Sequence, residues 1–324
     1  MFRHRLVLPI LQAAVTLALL AWIFSSRRLR EESVALLRLA DWRWVLAGWL
    51  AAGCNELAGA VRWWCCVRLA GLPVAFRRAA ALHFVGLFSS LFLPGSIGGD
   101  AVKIAWLAAE FPSRKIGGVL AVLMDRLSGL VTIMATMLVI VWMRLEWFQQ
   151  SPHAAALFRG AMIFFAMSAL GLFLWWLTSR PRLLRLHPPW LPMRARILEI
   201  ACVFDTFLKG GRWAAATIAL SSTAFAFFAL TYFCAAQALR VPVAFLDLFT
   251  MMPVIDVITM IPITLSGMGL REKTFETMLG ALCGIPSSAA VLVSLGGFGL
   301  ASAWALLGAP VFSLYRARAA EAQA

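Results

Sequence analysis

Leu93-Pro94-Gly95-Ser96-Ile97-Gly98-Gly99-Asp100-Ala101-Val102-Lys103 interrupts sequence that is otherwise apolar enough for a bilayer. About 170 positions later a second string does the same: Thr264-Leu265-Ser266-Gly267-Met268-Gly269-Leu270-Arg271-Glu272-Lys273. Each breaks a hydrophobic helix and sets both signs of charge beside the break. Hydrocarbon tolerates irregular backbone only where protein or a water-filled cavity covers it. Ionisable groups at that depth are costly and by default functional. The two strings therefore point to an all-α, polytopic membrane protein and mark its expected working site.

Composition agrees. The 324 residues are 62% hydrophobic and 14% charged, against roughly 45–50% and about 25% in soluble domains. Runs at 6–24, 116–143 and 157–178 suffice to cross a hydrocarbon core, which takes roughly 20 residues. The 6–24 run exceeds the signal-peptide core of about 7–15 residues and lacks a small-x-small cleavage site, so it reads as a retained first span. The net charge of +14 does not imply nucleic acid, because the basic residues lie between apolar runs, where they orient the chain and meet anionic headgroups. The six cysteines form no CxxC pair and the four histidines lie far apart, so no metal and no cofactor is expected. There is no Walker loop, HExxH or nucleophile–base motif, and the chain does not read as an enzyme.

The layout is one integral membrane domain, 1–324. It has six full spans (6–24, 44–61, 116–143, 157–178, 214–239 and 286–315) and two re-entrant hairpins (79–110 and 247–283). Residues 1–143 and 157–315 match in the order of these segments. With three spans per half, the second repeat enters from the opposite side, which makes the repeat inverted and brings the broken segments together near the midplane. Placing the N terminus inside assigns 17 Lys and Arg to the cytoplasmic face and 8 to the other, so both termini are expected in the cytoplasm of a cell that carries the protein in its inner membrane. Segment 194–209 is either an interfacial amphipathic helix or an ordinary connector.

In the first string, Pro94 ends a helix, while Gly95, Gly98 and Gly99 permit a tight turn and close backbone approach. The N–H groups opening the next helix favour an anion. Lys103 lies one turn past Asp100 and pairs with it, or yields to a phosphate. In the second string, Ser266, Gly267 and Gly269 form the turn and Arg271, Glu272 and Lys273 follow, with Arg suited to bidentate phosphate binding. The alternative for both is a glycine-rich helix contact with a structural ion pair. Asp125 and Arg126 point about 100° apart on one helix, so each pairs elsewhere; Asp125 is a candidate partner for a hairpin cation. Glu56, beside Asn55, and Asp256 are either proton carriers or members of interhelical hydrogen bonds.

Three motifs carry a resemblance. Phe92 to Asp100 with Lys103, then Met124-Asp125-Arg126-Leu127-Ser128-Gly129-Leu130, then Ser266-Gly267-Met268-Gly269-Leu270-Arg271-Glu272, resemble the flippase-like membrane region of lysylphosphatidylglycerol synthases in content and order. The resemblance covers nearly the whole chain and maps the family's motif positions onto Gly98, Gly99, Asp100, Asp125, Arg126, Gly269, Arg271 and Glu272. Many relatives have Arg where this chain has Lys103. The synthases' separate aminoacyl transferase domain is expected to be missing, so the resemblance implies translocation rather than synthesis. The expected function is movement of an anionic or phosphate-bearing lipid, a modified phospholipid or a polyprenyl-linked lipid, between leaflets. Membrane lipids are the expected partners, with a lipid-modifying enzyme as a further one. The alternatives are a membrane-embedded transferase using Asp100 or Glu272 as base, and an accessory partner of a lipid-modifying enzyme.

Overall fold

The computed structural model describes residues 27–92, 97–178, 206–207, 209–260, 264 and 267–313. The expected span at 6–24, the turn residues Pro94, Gly95, Ser96, Pro262 and Ser266, and most of 194–209 lie outside the described residues. What is described is helical, with no strand.

A short helix α1 (Arg27–Arg38) precedes α2 (Trp42–Leu69). The broken pair α3 (Phe76–Phe92) and α4 (Ile97–Glu110) follows, then the long α5 (Lys115–Gln149) and α6 (Pro152–Thr178). The second half holds α7 (Arg212–Ala238), the broken pair α8 (Phe245–Thr259) and α9 (Leu270–Cys283), and α10 (Ser287–Ala305).

Four helical stretches are long and apolar enough to cross a membrane: 116–149, 152–174, 212–238 and 287–313. The expected span at 44–61 lies inside a helix of 28 residues that runs on to Leu69, and that helix carries Glu56, Arg62 and Arg68 on its way. The hairpin helices have 17, 14, 15 and 14 residues, or roughly 21–26 Å at about 1.5 Å per residue. That falls short of a hydrocarbon core of about 30 Å.

The halves share more than their element order. Gly71-Leu72-Pro73-Val74-Ala75-Phe76 follows α2, and Arg240-Val241-Pro242-Val243-Ala244-Phe245 follows α7, at a constant offset of 169 (71 to 240). Both turns open on a left-handed residue, Gly71 at φ 77° and Arg240 at φ 56°. Both close with the same long-range cap, Leu72 N–H to the Val67 carbonyl (3.2 Å) and Val241 N–H to the Ala236 carbonyl (2.9 Å), which satisfies carbonyls that a helix end would otherwise leave open. The same edge-to-face aromatic pair braces each turn: Trp64 on Phe76 at 5.9 Å, and Phe233 on Phe245 at 5.7 Å.

The equivalent helices α2 and α7 pack against each other antiparallel. Asp41 N–H donates to the Ala238 carbonyl (2.9 Å), Trp44 meets Phe233, and at the other end Trp64 meets Trp213. Close approach is possible because Gly48 of α2 faces Cys234, where a Cβ would lie 3.0 Å from that residue's own. One apolar core lies around Trp63, Leu82 and Leu107, and another around Tyr232, Phe275 and Met252, the latter also taking in Met137 and Ile140 of the first half. Trp63 and Tyr232 are themselves related by the offset of 169.

Candidate functional site

Because α3 and α8 both stop short, the space between them is closed by other helices rather than filled. A cavity of about 500 Å³ results. Leu87, Ser90 and Leu91 reach it from the first hairpin, and Asp256, Thr259, Thr264 and Gly267 from the second. α2, α5, α7 and α10 complete its wall.

Two arginines stand in that wall, each held from behind by an acid. Arg126 Nε donates to Asp100 Oδ2 at 2.7 Å, tying α5 to the first turn of α4, while its side chain remains 46% exposed. Arg62 Nε donates to Asp125 Oδ1 at 2.8 Å and its Nη1 to Ser221 Oγ at 3.2 Å, joining α2, α5 and α7. Ser221 in turn lies 3.3 Å from Ser128. Removing one member of a buried pair costs about 3–5 kcal/mol, so Asp125 fixes Arg62 where it stands.

The expected pairing of Lys103 with Asp100 is present at 3.6 Å. Lys103 nevertheless lies behind the cavity wall rather than in it. Its stem crosses Gly86, where a Cβ would come within 2.5 Å of the Lys103 Cε, and its ammonium sits 4.6 Å above the Trp63 ring. Gly99 is a contact glycine, since a Cβ there would strike the Gly86 carbonyl and Ser90 Oγ. Gly98 is half-buried in the first turn of the same helix.

The second string is occupied with itself. Gly269 takes φ 85° at the start of α9, and Glu272 Oε2 accepts its backbone N–H. Arg271 donates to Glu272 Oε1 through Nη2 (3.1 Å), lies 3.3 Å from Ser294 and covers Phe298 at 4.1 Å. Glu272 is fully buried and Arg271 is 7% exposed, so Phe298 rather than Arg271 meets the cavity. Lys273 pairs with Glu276 at 2.9 Å, also off the cavity. Gly267 does line it, at φ 73° and against Thr259.

One expectation for the acids needs correction: Asp125 holds Arg62 of α2 and not a hairpin cation, the two meeting where α2 and α5 face each other. Glu56 lines the cavity and makes the interhelical contact that was one of its two expected roles, accepting from Asn55 Nδ2 (3.0 Å) and lying 3.2 Å from His83 Nε2 of α3. Asp256 also lines the cavity, and among the described residues its carboxylate has no hydrogen-bond or ion-pair partner. Gly95 and Ser266 lie outside the described residues.

Of the expected residues, the structure thus gathers Arg126, Glu56, Asp256 and Gly267 at one cavity, with Asp100 one bond behind. The sequence reading missed Arg62, Thr132, Thr264 and Ser302, all in the same wall. Arg62 left a signal. It lies seven residues after Asn55, two turns on and on one helix face, but ending the span at 61 assigned it to a loop. Single hydroxyls such as Thr132 and Ser302 leave none.

A family model described as the lysylphosphatidylglycerol synthase TM region matches residues 10–309. No curated protein matches the chain.

Proposed function

The chain belongs to the lysylphosphatidylglycerol synthase membrane-region family, and from that premise we propose that it is a flippase-like transporter moving a lipid with an anionic, phosphate-bearing headgroup between leaflets. Family membership and the apolar helices make it a membrane protein with a lipid-related function. The finer reading is carried by one observation: both hairpins contribute to a cavity whose wall holds two acid-backed arginines. Its volume of about 500 Å³ falls in the range of roughly 300–1,000 Å³ typical of small-molecule sites. A headgroup fits there while its acyl chains remain in the bilayer.

In this reading the headgroup phosphate takes the exposed side of the Arg126 guanidinium, whose fork suits phosphate oxygens. Asp100 keeps that guanidinium oriented, and the Arg62–Asp125 pair supplies a second fixed positive charge. The chain performs no covalent step, and membrane lipids are its partners. The recurring turn and the antiparallel packing of α2 and α7 support two inverted repeats, 1–143 and 157–315. The Lys and Arg bias supports a multi-pass inner-membrane protein with both termini cytoplasmic.

The test is leaflet transfer of labelled phosphatidylglycerol in vesicles reconstituted with the full chain. Transfer is expected above that of protein-free vesicles, and Arg126→Ala is expected to slow it about 10–100-fold, the loss of one charge-assisted contact. Absence of transfer by the full chain, or wild-type rates in both Arg126→Ala and Arg62→Ala, overturns the reading.

A further inference from the structure

The cavity wall that holds the arginines also contains a carboxylate and hydroxyl oxygens to which the headgroup reading assigns no role. Two acids line the cavity, and they differ. Glu56 is engaged by Asn55 and His83, whereas Asp256 has no hydrogen-bond or ion-pair partner among the described residues. Arg271 is the cation whose field reaches Asp256, but its guanidinium is bound to Glu272 and Ser294. Tyr232 is the other titratable group whose field couples to Asp256.

Hydroxyls in the same wall are unpaired as well. Thr264 is 2% exposed and Thr132 is 4% exposed, and neither Oγ1 has a partner; Ser302 Oγ is buried and unpartnered too. Buried polar atoms are normally satisfied, and an exception calls for a reason such as an absent ion or water. Asp256 lies in the last turn of α8, which ends at Thr259. The negative end of that half-helix adds partial negative charge. Thr259 Oγ1 donates to the Asp256 carbonyl at 3.0 Å, leaving its own lone pairs directed elsewhere. Gly267 packs on Thr259, so the chain returning from the break covers this helix end.

One carboxylate, several hydroxyl oxygens and the negative end of a half-helix, in a cavity whose two arginines are each bound to another acid, make a hard-oxygen site of charge minus one. We propose that Asp256, with Thr259, Thr264 and Ser302, binds a monovalent alkali cation, sodium by size and donor type. A proton would satisfy the carboxylate alone; the unpaired hydroxyl oxygens are what a metal cation additionally uses. The site stands independently of lipid transfer. Its use as a coupling ion, which would neutralise the one unengaged acid on a headgroup's path, rests on the transport reading above.

The experiment is equilibrium binding of radiolabelled sodium to the purified full chain in detergent, at constant ionic strength balanced with choline. Saturable binding is expected in the wild type and is expected to vanish in Asp256→Asn, a variant of the same shape. Thr264→Val and Ser302→Ala are each expected to raise half-saturation about tenfold, the loss of one neutral donor. Size-exclusion profiles of all four proteins identify any that misfold, and the Ser302→Ala result stands even if Asp256→Asn does not fold. No saturable sodium binding in the wild type overturns the site, as does unchanged binding in Asp256→Asn. A response to pH that depends on Asp256 without sodium binding makes it a proton site and overturns the proposal too. Leaflet transfer with and without sodium is read separately. Binding without transfer sinks only the transport reading, and transfer without binding sinks only the cation site.

Discussion

The two hairpins look alike as sequence and act differently as structure. Each puts an acid in the first turn of its second helix, Asp100 in α4 and Glu272 in α9. Asp100 reaches out of its helix to Arg126 on α5, and so governs a side chain that faces the cavity. Glu272 turns inward, accepts the Gly269 N–H of its own helix start and binds the neighbouring Arg271. One acid orients a cavity-facing arginine; the other closes a helix. The difference follows from spacing. Arg271 is adjacent to Glu272 in sequence, whereas no arginine is adjacent to Asp100, which is left to bind one from another helix.

This contrast fails or sharpens under substitution. The largest effect is expected from Glu272→Ala, which leaves Arg271 buried without its acid and opens the α9 start. A loss of about 3–5 kcal/mol of stability should appear as a lowered thermal midpoint and poor recovery in detergent; near wild-type stability would show that the second acid is not structural. Next comes Asp100→Ala. It should lower leaflet transfer about 10–100-fold through misorientation of Arg126, and the thermal midpoint as well because buried Lys103 also loses its acid; transfer by the folded fraction as fast as in the wild type would dissolve the comparison. Gly99→Ala forces α3 and α4 apart, and about 1–3 kcal/mol of destabilisation is expected from such overpacking, measured by thermal unfolding. The smallest effect belongs to Lys273→Ala. Its pair with Glu276 is half-exposed, and a change of no more than about 0.5 kcal/mol in stability is expected, with transfer rates unaltered.

Much of the fold was legible because lipid leaves few options. Long apolar runs must be helices, and 116–149, 152–174 and 212–238 fall where the hydropathy put them. α2 was cut short because Arg62 reads as a loop residue until its partner Asp125, 63 positions away, is in view. Charge pairing over that distance has no local signature. The likeness of the two halves was legible only as an order of segments. Its clearest imprint, Pro-Val-Ala-Phe at 73–76 and 242–245, lies in short turns that a search for long segments passes over. Of the motif residues, Arg126 and Gly267 line the cavity, whereas Lys103, Arg271 and Lys273 do not. These three are charged and lie within four residues of a glycine, yet each is covered or turned aside by a neighbour that the sequence does not identify: Trp63, Phe298 and Glu276.

The shared turn after α2 and α7 is built with glycine once and with arginine once, and the second is the harder build. An L side chain in the left-handed region costs roughly 1–2 kcal/mol, and Arg240, at φ 56°, is a non-glycine residue held there. Its side chain is exposed at a reversal between helices of the second half. Basic groups near a membrane boundary set the depth and tilt of neighbouring helices, and both corners carry them by different routes: Arg240 stands in the second turn itself, whereas Arg68, Arg77 and Arg78 flank the first and leave its left-handed position to glycine.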